Sequence, residues 1–308
     1  MPDRDPQPGI DRLRRFQRIV TREVGALDQS FLGRGRPLNA ARVLNAIGRG
    51  IGRDGPGRGT GEVGTLRAYL GLDSGLMSRL LRGLEDEGLV TTAPAPDDAR
   101  RRVARLTAAG EAEFAAYETL SNARAGQILA AHPDPDALLA AMDLVSSALG
   151  RDTVEIRPAD PQSEAARACL ARYYGELARR FERGFDVTLS RDPEAGDMRA
   201  PKGVFLLALS DGVAIGCAGL KGHAVGTADA WGEVKRVWVD PAARGLRLAP
   251  GMMAEIENRA RGLGFGLLRL DTNSALPEAL ALYRRLGWQE IDRFNDDPYP
   301  DTFFEKRL

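Results

Sequence analysis

The chain has 308 residues, of which 43% are hydrophobic and 28% are charged. This length predicts two domains, and the composition is that of folded protein rather than of a disordered chain. The 43 basic residues balance the 43 acidic ones, so the formal net charge is zero. This balance excludes a protein that holds nucleic acid or acidic membranes by bulk charge alone.

Secretion, membrane insertion and metal binding are not expected. The N-terminal stretch MPDRDPQPGIDRLRR lacks the apolar core of a signal peptide. The longest purely apolar run, Val204–Leu209, has about six residues, against the roughly 20 of a membrane span. Cys169, Cys217, His132 and His223 match neither a disulfide framework nor the spacing of a zinc site. We therefore expect a cytoplasmic protein with no metal and no membrane partner.

The character of the sequence changes near residue 152. Before it, apolar residues recur at helical spacing and strand-like runs are few. After it, strand-like segments such as Val204–Leu209 alternate with helical segments such as Glu164–Arg183, a pattern typical of an α/β domain. We expect two domains: a mainly α domain over residues 1–152 and an α/β domain over residues 153–308.

Residues 64–87 predict a helix-turn-helix. Leu66–Leu70 forms one short helix, and Ser74 is placed to cap a second helix that runs to Glu87. On the second helix, one face is apolar and holds Leu76, Leu80, Leu81 and Leu84. The polar and basic residues that point elsewhere are Ser78, Arg79 and Arg82. Two short helices joined by a tight turn, the second of them basic, are typical of DNA-binding proteins.

A basic β-hairpin follows this helix pair. Residues 88–92 and 100–106 read as two strands joined by a turn, with arginines at the tip: Arg100, Arg101 and Arg102. The alternative is a solvated loop balanced by Asp97 and Asp98. The order of elements favours a DNA-binding wing.

These segments resemble the MarR family of winged-helix regulators over roughly residues 10–150. The resemblance is carried by the motifs SRL at 78–80, LEDEGLV at 84–90, DAR at 98–100 and LTAAG at 106–110. It implies a homodimer formed by helices Leu13–Phe31, Ala112–Ala131 and Pro135–Leu149. It also implies that Ser78, Arg79 and Arg82 enter the major groove of a double-stranded DNA operator. The wing arginines 100–102 would then reach the minor groove, and Arg suits both grooves.

One segment departs from the MarR pattern. Between helix Asn39–Ile47 and the helix-turn-helix, that family has a short apolar link, whereas this chain has the long glycine-rich segment Gly48–Gly64. We expect this link to be flexible. DNA binding would then be weakened, or the two DNA-binding helix-turn-helix units of the dimer would be loosely spaced.

Residues 233–260 predict an anion-binding turn. Glu233–Val239 reads as a strand, residues 240–249 as a tight loop of mostly small residues, and Met252 onward as a helix. Unpaired N–H groups of such a loop and of the first helical turn converge on phosphate groups, and the helix dipole favours the anion.

Further segments narrow the choice among α/β proteins that have such a turn. Two apolar runs about Asp211-Gly212 form a hairpin. The motifs VWVDP at 237–241 with Arg244-Gly245, and ALYRRLGW at 281–288, resemble the GNAT family of N-acetyltransferases across residues 153–308. The resemblance implies the α/β GNAT acyltransferase fold with a mixed central sheet. It also implies acetyl-CoA as co-substrate and direct transfer of the acetyl group to an amine.

The resemblance implies a role for each matching position. The cofactor-binding residues would be Val237, Trp238, Val239, Arg244, Gly245, Leu246, Arg247, Leu248, Ala249 and Asn273. Arg247 stands where the family has a glycine, so its side chain must point away from the pyrophosphate or bind a phosphate itself. Pro250 lacks an N–H but fits the first turn of a helix.

Two residues are proposed as catalytic. Tyr283 would be the general acid that protonates the leaving thiolate, and Glu233 a base that acts through water. In the plainer readings, Tyr283 is only a half-buried helix residue and Glu233 only pairs with Lys235 or Arg236. His223 either lines the acceptor pocket or is an exposed loop residue, and we expect exposure.

The sequence identifies the substrate that accepts the acetyl group only as a small amine. Glu176, Asp296 and Asp297 lie among aromatic residues and suit a small cationic amine, although they suit solvated loops equally well. We therefore predict an acetyl-CoA-dependent N-acetyltransferase fused to a DNA-binding domain. Two alternatives stay open: a regulator whose second domain only senses acetyl-CoA or an amine metabolite, and an enzyme whose first domain is only a dimerisation scaffold.

Overall fold

A computed structural model describes residues 7–51, 59–190 and 195–308. The chain forms two compact units, residues 1–133 and 134–308. The helix Pro135–Gly150, which the sequence placed at the end of the first domain, groups with the second unit and packs on the turn Pro241–Ala243. The boundary near residue 152 stays a prediction. No helix in the described ranges is long and apolar enough to cross a membrane.

The first unit is helical with one small sheet. Its helices are α1 (Gln7–Glu23), α2 (Leu38–Gly48), α3 (Val63–Leu70), α4 (Ser74–Asp86) and α5 (Ala108–Ala131). Its described strands are β1 (Thr60–Glu62), β2 (Val90–Pro94) and β3 (Arg102–Leu106), in the antiparallel order β1-β3-β2. Helices α3 and α4 followed by the β2–β3 hairpin confirm the predicted winged helix-turn-helix.

Helix α4 differs in detail from the prediction. The side chain of Asp73, not of Ser74, caps it and accepts a hydrogen bond of 2.9 Å from the N–H of Leu76, because the helix begins at Ser74, one residue earlier than a Ser74 cap requires. Its buried face is made of Met77, Leu81 and Leu84, whereas Leu76 and Leu80 are half-buried. The sequence did not predict that Met77 is buried, because the helix in the structure is rotated about its axis toward Met77 relative to the predicted apolar face.

The glycine-rich link is partly ordered. Residues 52–58 lie outside the described residues, so flexibility of that stretch stays a prediction. The described ends are held: the Gly59 N–H donates to the Gly48 carbonyl at 3.1 Å, and β1 pairs with β3 along the wing. The expectation of a loose connection through residue 64 is therefore wrong for residues 59–64: Thr60–Glu62 adds a strand to the wing sheet, and Val63 and Gly64 begin α3.

The second unit is built on a mixed sheet. Its described strands are β4 (Glu155–Ala159), β5 (Gly203–Ser210), β6 (Val213–His223), β7 (Trp231–Val239), β8 (Leu267–Thr272), β9 (Gln289–Ile291) and β10 (Thr302–Arg307). The helices are α6 (Pro135–Gly150), α7 (Glu164–Arg180), α8 (Leu248–Gly262) and α9 (Pro277–Arg285). The strand order is β4-β5-β6-β7-β8-β10-β9, with only the β7–β8 pair parallel among the described strands.

Helices cover both faces of this sheet. Successive residues of β5 point to opposite sides, so Leu206 and Ala208 pack with residues of α8, and Phe205 and Leu207 pack with residues of α7. Both strand faces are therefore buried, which explains the nearly continuous apolar run of β5.

Strands β7 and β8 pair over only three residues. Gly232–Val234 pairs with Leu268–Leu270, and no pair follows, although both strands continue. On its other side, β7 has a register shift against β6 between Cys217 and Gly219, and Arg236 has φ 58° there. The parallel pair therefore opens toward the carboxyl ends of its strands.

Candidate active site

Two cavities lie along the open end of β7 and β8. The first, of about 320 Å³, is lined by the end of β7, the loop before α8 and one side of α9. The second, of about 270 Å³, is lined by α7, the segment after it and the middle of β7. Residues that border both cavities are Tyr173, Leu177, Val237, Leu276, Ala279 and Tyr283. The two spaces therefore meet at these side chains. Among the predicted site residues, only Val237 and Tyr283 border both.

The loop of the first cavity contains the predicted cofactor-binding positions. The lining residues from the predicted set are Val237, Trp238, Val239, Arg244, Gly245, Arg247, Leu248 and Ala249. Leu246 lies in the same loop and packs on the core. Helix α8 begins at Leu248, and no side chain hydrogen bond caps it at Arg247. The N–H groups of its first turn have no partner within the helix, so they are available to an anion.

The backbone of this loop depends on two left-handed residues. Gly245 has φ 88° and Arg247 has φ 60°. Glycine reaches this region without steric cost, which gives a physical reason for a glycine at position 247 in the family pattern. The Arg247 side chain is exposed at the rim of the cavity.

The carboxylate of Glu176 on α7 holds the end of β7 and the loop before α8 in place. Its Oε2 accepts hydrogen bonds from Nη2 of Arg244 at 2.6 Å and from the indole N–H of Trp238 at 2.8 Å. Burial alone would raise the pKa of Glu176, but the bonds from Arg244, Trp238 and Arg180 lower it. The sequence left two readings of Glu176, an acceptor-binding acid or a solvated loop residue. Both are wrong, because its carboxylate lies on a helix, is buried and is already engaged.

Trp238 and Asn273 are also engaged with the protein. The indole of Trp238 packs on the α7 face of the sheet, so only the strand backbone at this position faces the loop side of the site. The Asn273 amide donates to the carbonyl of Tyr299 at 2.6 Å and accepts from the N–H of Ala275 at 2.8 Å. Asn273 borders the second cavity and shapes the loop after β8.

A buried ionic cluster forms the floor of the second cavity. Nζ of Lys235 lies 2.8 Å from Oδ2 of Asp271 and 3.2 Å from Oε1 of Glu233. Burial lowers the pKa of Lys235, but the carboxylates of Asp271 and Glu233 outweigh it and raise that pKa. Asn295 donates to Asp271 at 2.6 Å, and Asp297 lies 3.8 Å from Lys235. Of the two acids predicted in the C-terminal tail, Asp297 is buried here and Asp296 is exposed.

Glu233 and His223 contact each other directly. Nε2 of His223 lies 2.7 Å from Oε2 of Glu233, and the imidazole stacks on Trp231 with ring centroids 4.1 Å apart. The side chain of His223 is 32% exposed and that of Glu233 only 7%. The expectation that His223 is an exposed loop residue is therefore wrong: it ends strand β6 and borders the second cavity.

Aromatic side chains form the wall opposite this cluster. They come from α7, the segment after it and the C-terminal tail: Tyr173, Tyr174, Phe181, Phe185 and Tyr299. Phe185 links the group, with ring centroids 5.5 Å from Tyr174 and 4.7 Å from Tyr299. The second cavity therefore has an apolar wall and a charged floor.

Tyr283 stands where the cavities meet. It is buried, and its ring packs near Trp288 and Phe304. Burial, with a smaller contribution from the Asp271 carboxylate, raises the pKa of its hydroxyl well above the ordinary value. Like any tyrosine hydroxyl, it is protonated at neutral pH, so it holds a proton at the junction of the two cavities, and the raised pKa makes it a weaker acid than an exposed tyrosine.

The predicted DNA-contacting residues are all exposed. Ser78, Arg79 and Arg82 lie on the free side of α4, and Arg100 lies at the tip of the wing. Two wing arginines have partners within the hairpin: Arg101 pairs with Asp97 at 3.2 Å, and Arg102 donates to Thr92.

The pairing of Glu233 with Lys235, one of the plainer readings of Glu233, is present in the structure. Asp271 and Asn295 were not predicted, because they come from separate segments that only the fold brings to Lys235. Alternation along β8 could have marked Asp271, which shares with Arg269 the strand face opposite the buried Leu268 and Leu270.

Comparison with known proteins agrees with this architecture. The acetyltransferase (GNAT) family model matches residues 170–288, and the MarR family model matches residues 34–101. The IAA acetyltransferase of Azospirillum brasilense is 37% identical over 108 residues, covering 34% of this chain and 67% of that protein. The uncharacterized N-acetyltransferase C1271.07c of Schizosaccharomyces pombe is 32% identical over 129 residues, covering 40% of this chain and 77% of that protein.

Solved structures of GNAT proteins align with half of the chain. A GNAT-family acetyltransferase from Staphylococcus aureus has a TM-score of 0.43 at 17% identity, covering 50% of this chain and 99% of that chain. One from Elizabethkingia anophelis, with acetyl-CoA bound, has a TM-score of 0.38 at 19% identity, covering 51% and 99%. The family model and the sequence relatives define an N-acetyltransferase. The chain belongs to the GNAT family, and its N-terminal part is a MarR-family domain.

Proposed function

We propose that the second unit transfers the acetyl group of acetyl-CoA to a small amine. The observation that carries this proposal is the position of Tyr283, a buried proton donor at the junction of two cavities. A transferase needs a donor site and an acceptor site that meet at the reacting atoms, with a proton source for the leaving group.

The first cavity has the features of the donor site. The uncapped first turn of α8 and the loop from Gly245 to Ala249 suit the pyrophosphate of CoA. The unpaired end of β7, at Val237 and Val239, suits an extended pantetheine chain that lies beside the strand. When bound, acetyl-CoA supplies the activated acetyl group and a thiolate leaving group.

The second cavity has the features of the acceptor site. Its aromatic wall suits the carbon skeleton of a small amine. Its floor sets the three carboxylates of Glu233, Asp271 and Asp297 against the single ammonium of Lys235, and this excess of negative charge favours a cationic amine. Glu233 and Tyr283 lie on the lining of this one cavity, so proton removal from the amine and proton delivery to sulfur occur around one reaction centre.

We propose that the first unit binds a double-stranded DNA operator as a homodimer. The dimer contact would include α1, whose exposed apolar residues are Ile10, Leu13, Phe16, Ile19 and Val20. The major-groove contacts would be Ser78, Arg79 and Arg82, and the wing contacts Arg100, Arg101 and Arg102. Arginine pairs bidentately with guanine and enters narrow minor grooves.

Thiol release with a panel of small amines tests the enzymatic proposal. The expected result is CoA release that depends on one class of amine and falls by about 10²-fold or more in Tyr283→Phe, as loss of a general acid predicts. Acetyl-CoA binding should be unchanged in that variant. No amine-dependent release, together with a DNA affinity that responds to acetyl-CoA in both proteins, would instead support the ligand-sensor alternative.

A further inference from the structure

The acceptor nitrogen must lose a proton as it forms the amide bond, and two side chains at one end of the acceptor cavity are arranged to receive it. We infer that His223 is the base that takes this proton and that Glu233 positions His223 rather than acting as the base itself. This inference rests on the proposed transferase function and names the proton acceptor of that reaction.

Strand pairing brings the two side chains together. Lys221 is paired with Glu233 across β6 and β7, and His223 is paired with Trp231. His223 and Glu233 are therefore diagonal neighbours, a separation that longer side chains can bridge. The bridge is made by Nε2 of His223 and Oε2 of Glu233, 2.7 Å apart.

The protonation state of Glu233 sets the tautomer of the imidazole. Burial would raise the pKa of Glu233, but the hydrogen bond from His223 and the charge of Lys235 lower it to about 2. An ionised carboxylate only accepts hydrogen bonds, so Nε2 of His223 carries a hydrogen. In the neutral ring, the lone pair then lies on Nδ1. No side chain in the described ranges makes a hydrogen bond to Nδ1.

Glu233 is itself poorly suited to remove the proton. A base is most effective when its pKa lies near the working pH, and a carboxylate with a pKa of about 2 is a weak base at neutral pH. Its carboxylate is also almost fully buried and shared among His223, Lys235 and Asn295. Its geometry is that of a group that orients and stabilises an imidazolium.

The imidazole is held in place and stays accessible. Trp231 stacks on it with an interplanar angle of 6°. The ring borders the acceptor cavity and is 32% exposed, so a substrate amine can approach it. The other charged groups around it are Lys221 with its partner Asp197, Lys235 beside Glu233, and Arg269 over the ring of Trp231.

The proton balance of the step is complete with groups on this chain. The amine nitrogen forms a bond to the acetyl carbon, and the bond from that carbon to sulfur breaks. Nδ1 of His223 takes the proton of the nitrogen, and the hydroxyl of Tyr283 gives a proton to the sulfur. Solvent then returns the proton from the imidazolium to the tyrosinate, so amine and acetyl-CoA become amide and CoA.

The tautomer of His223 can be measured without an amine substrate. The chain has two histidines, so long-range proton–nitrogen NMR of the full-length protein gives two ring patterns, and His132→Gln assigns them. We expect neutral His223 to carry its hydrogen on Nε2, and Glu233→Gln to abolish this preference. A hydrogen on Nδ1 would overturn the inference, whatever the fate of the proposed enzymatic function.

The role of His223 in turnover is tested with an amine that the parent protein acetylates. His223→Gln should lower kcat/KM by about 10²- to 10⁴-fold and leave acetyl-CoA binding unchanged, whereas His132→Gln should have no effect. Added imidazole should restore turnover to His223→Ala but not to Tyr283→Phe. Full turnover in His223→Gln would overturn the inference, as would a loss in His223→Ala that imidazole does not restore. If no amine is acetylated, the proposed function fails, and the NMR result alone decides whether His223 has the predicted tautomer.

Discussion

Replacing Glu176 by leucine should destabilise the second unit and weaken acetyl-CoA binding at the same time. The carboxylate is buried and accepts from Arg244, Arg180 and the indole of Trp238. Leucine leaves the buried indole N–H without its acceptor, which costs about 1–3 kcal/mol. The two guanidinium groups are partly exposed, at 39% and 26%, so water replaces much of what they lose. Two such bonds add about 1–2 kcal/mol when solvation is allowed for.

The expected loss is therefore roughly 2–5 kcal/mol in the free energy of unfolding of the second unit. Urea denaturation followed by the fluorescence of the tryptophans, all three of which lie in residues 231–288, reports that transition. Calorimetry should show weaker acetyl-CoA binding, because Arg244 and its loop lose their anchor. Glu176→Gln is the matched control, since its amide oxygen can still accept from the indole, and it should lose less. If Glu176→Leu unfolds at the parent's urea concentration and binds acetyl-CoA equally well, the anchoring role is refuted.

Three further predictions concern other parts of the chain. Because the pKa of Glu233 is lowered to about 2, its contribution to stability is complete above the unfolded value near 4.5 and disappears as the pH falls toward 2. Glu233→Gln should therefore make the second unit less sensitive to acid, by up to roughly 3 kcal/mol, and identical acid unfolding curves would contradict this. Arg247→Gly should change stability by less than about 1.5 kcal/mol in the stabilising direction, because relief of the left-handed strain is partly offset by the entropy of glycine. A lower melting temperature would contradict that account. Met77→Ala should destabilise the first unit by about 2–5 kcal/mol, whereas Leu76→Ala, at a half-buried position, should cost less, and equal losses in thermal melts would count against the observed face of α4.

Sequence patterns predicted the elements well where local signals dominate. The apolar run of β5, the small residues of the loop before α8 and the Leu-rich α9 each mark their own structure. The mixed sheet and the winged helix-turn-helix are confirmed. The errors on α4 were of one residue, because Asp73 and Ser74 are both good caps and only tertiary packing selects the rotation that buries Met77.

Most of the features that the sequence did not predict depend on contacts between residues that lie far apart in the chain. Glu176 reads as an ordinary helix carboxylate until α7 packs against β7 and brings Trp238 and Arg244 to it. His223 reads as a strand-end residue until the β6–β7 register sets it beside Glu233. The strand β1 was hidden because Gly61 has no strand preference and is held by its pairing with β3.

Calorimetric titration of the full-length protein with acetyl-CoA tests whether the first cavity is the donor site. We expect one site per chain, with binding at least tenfold weaker in Ala249→Glu, where a carboxylate would stand beside the pyrophosphate. Ala254→Glu places the same charge on the exposed side of the same helix and should bind like the parent. The absence of binding by the parent, or equal affinities for all three proteins, would contradict the assignment of the first cavity as the donor site.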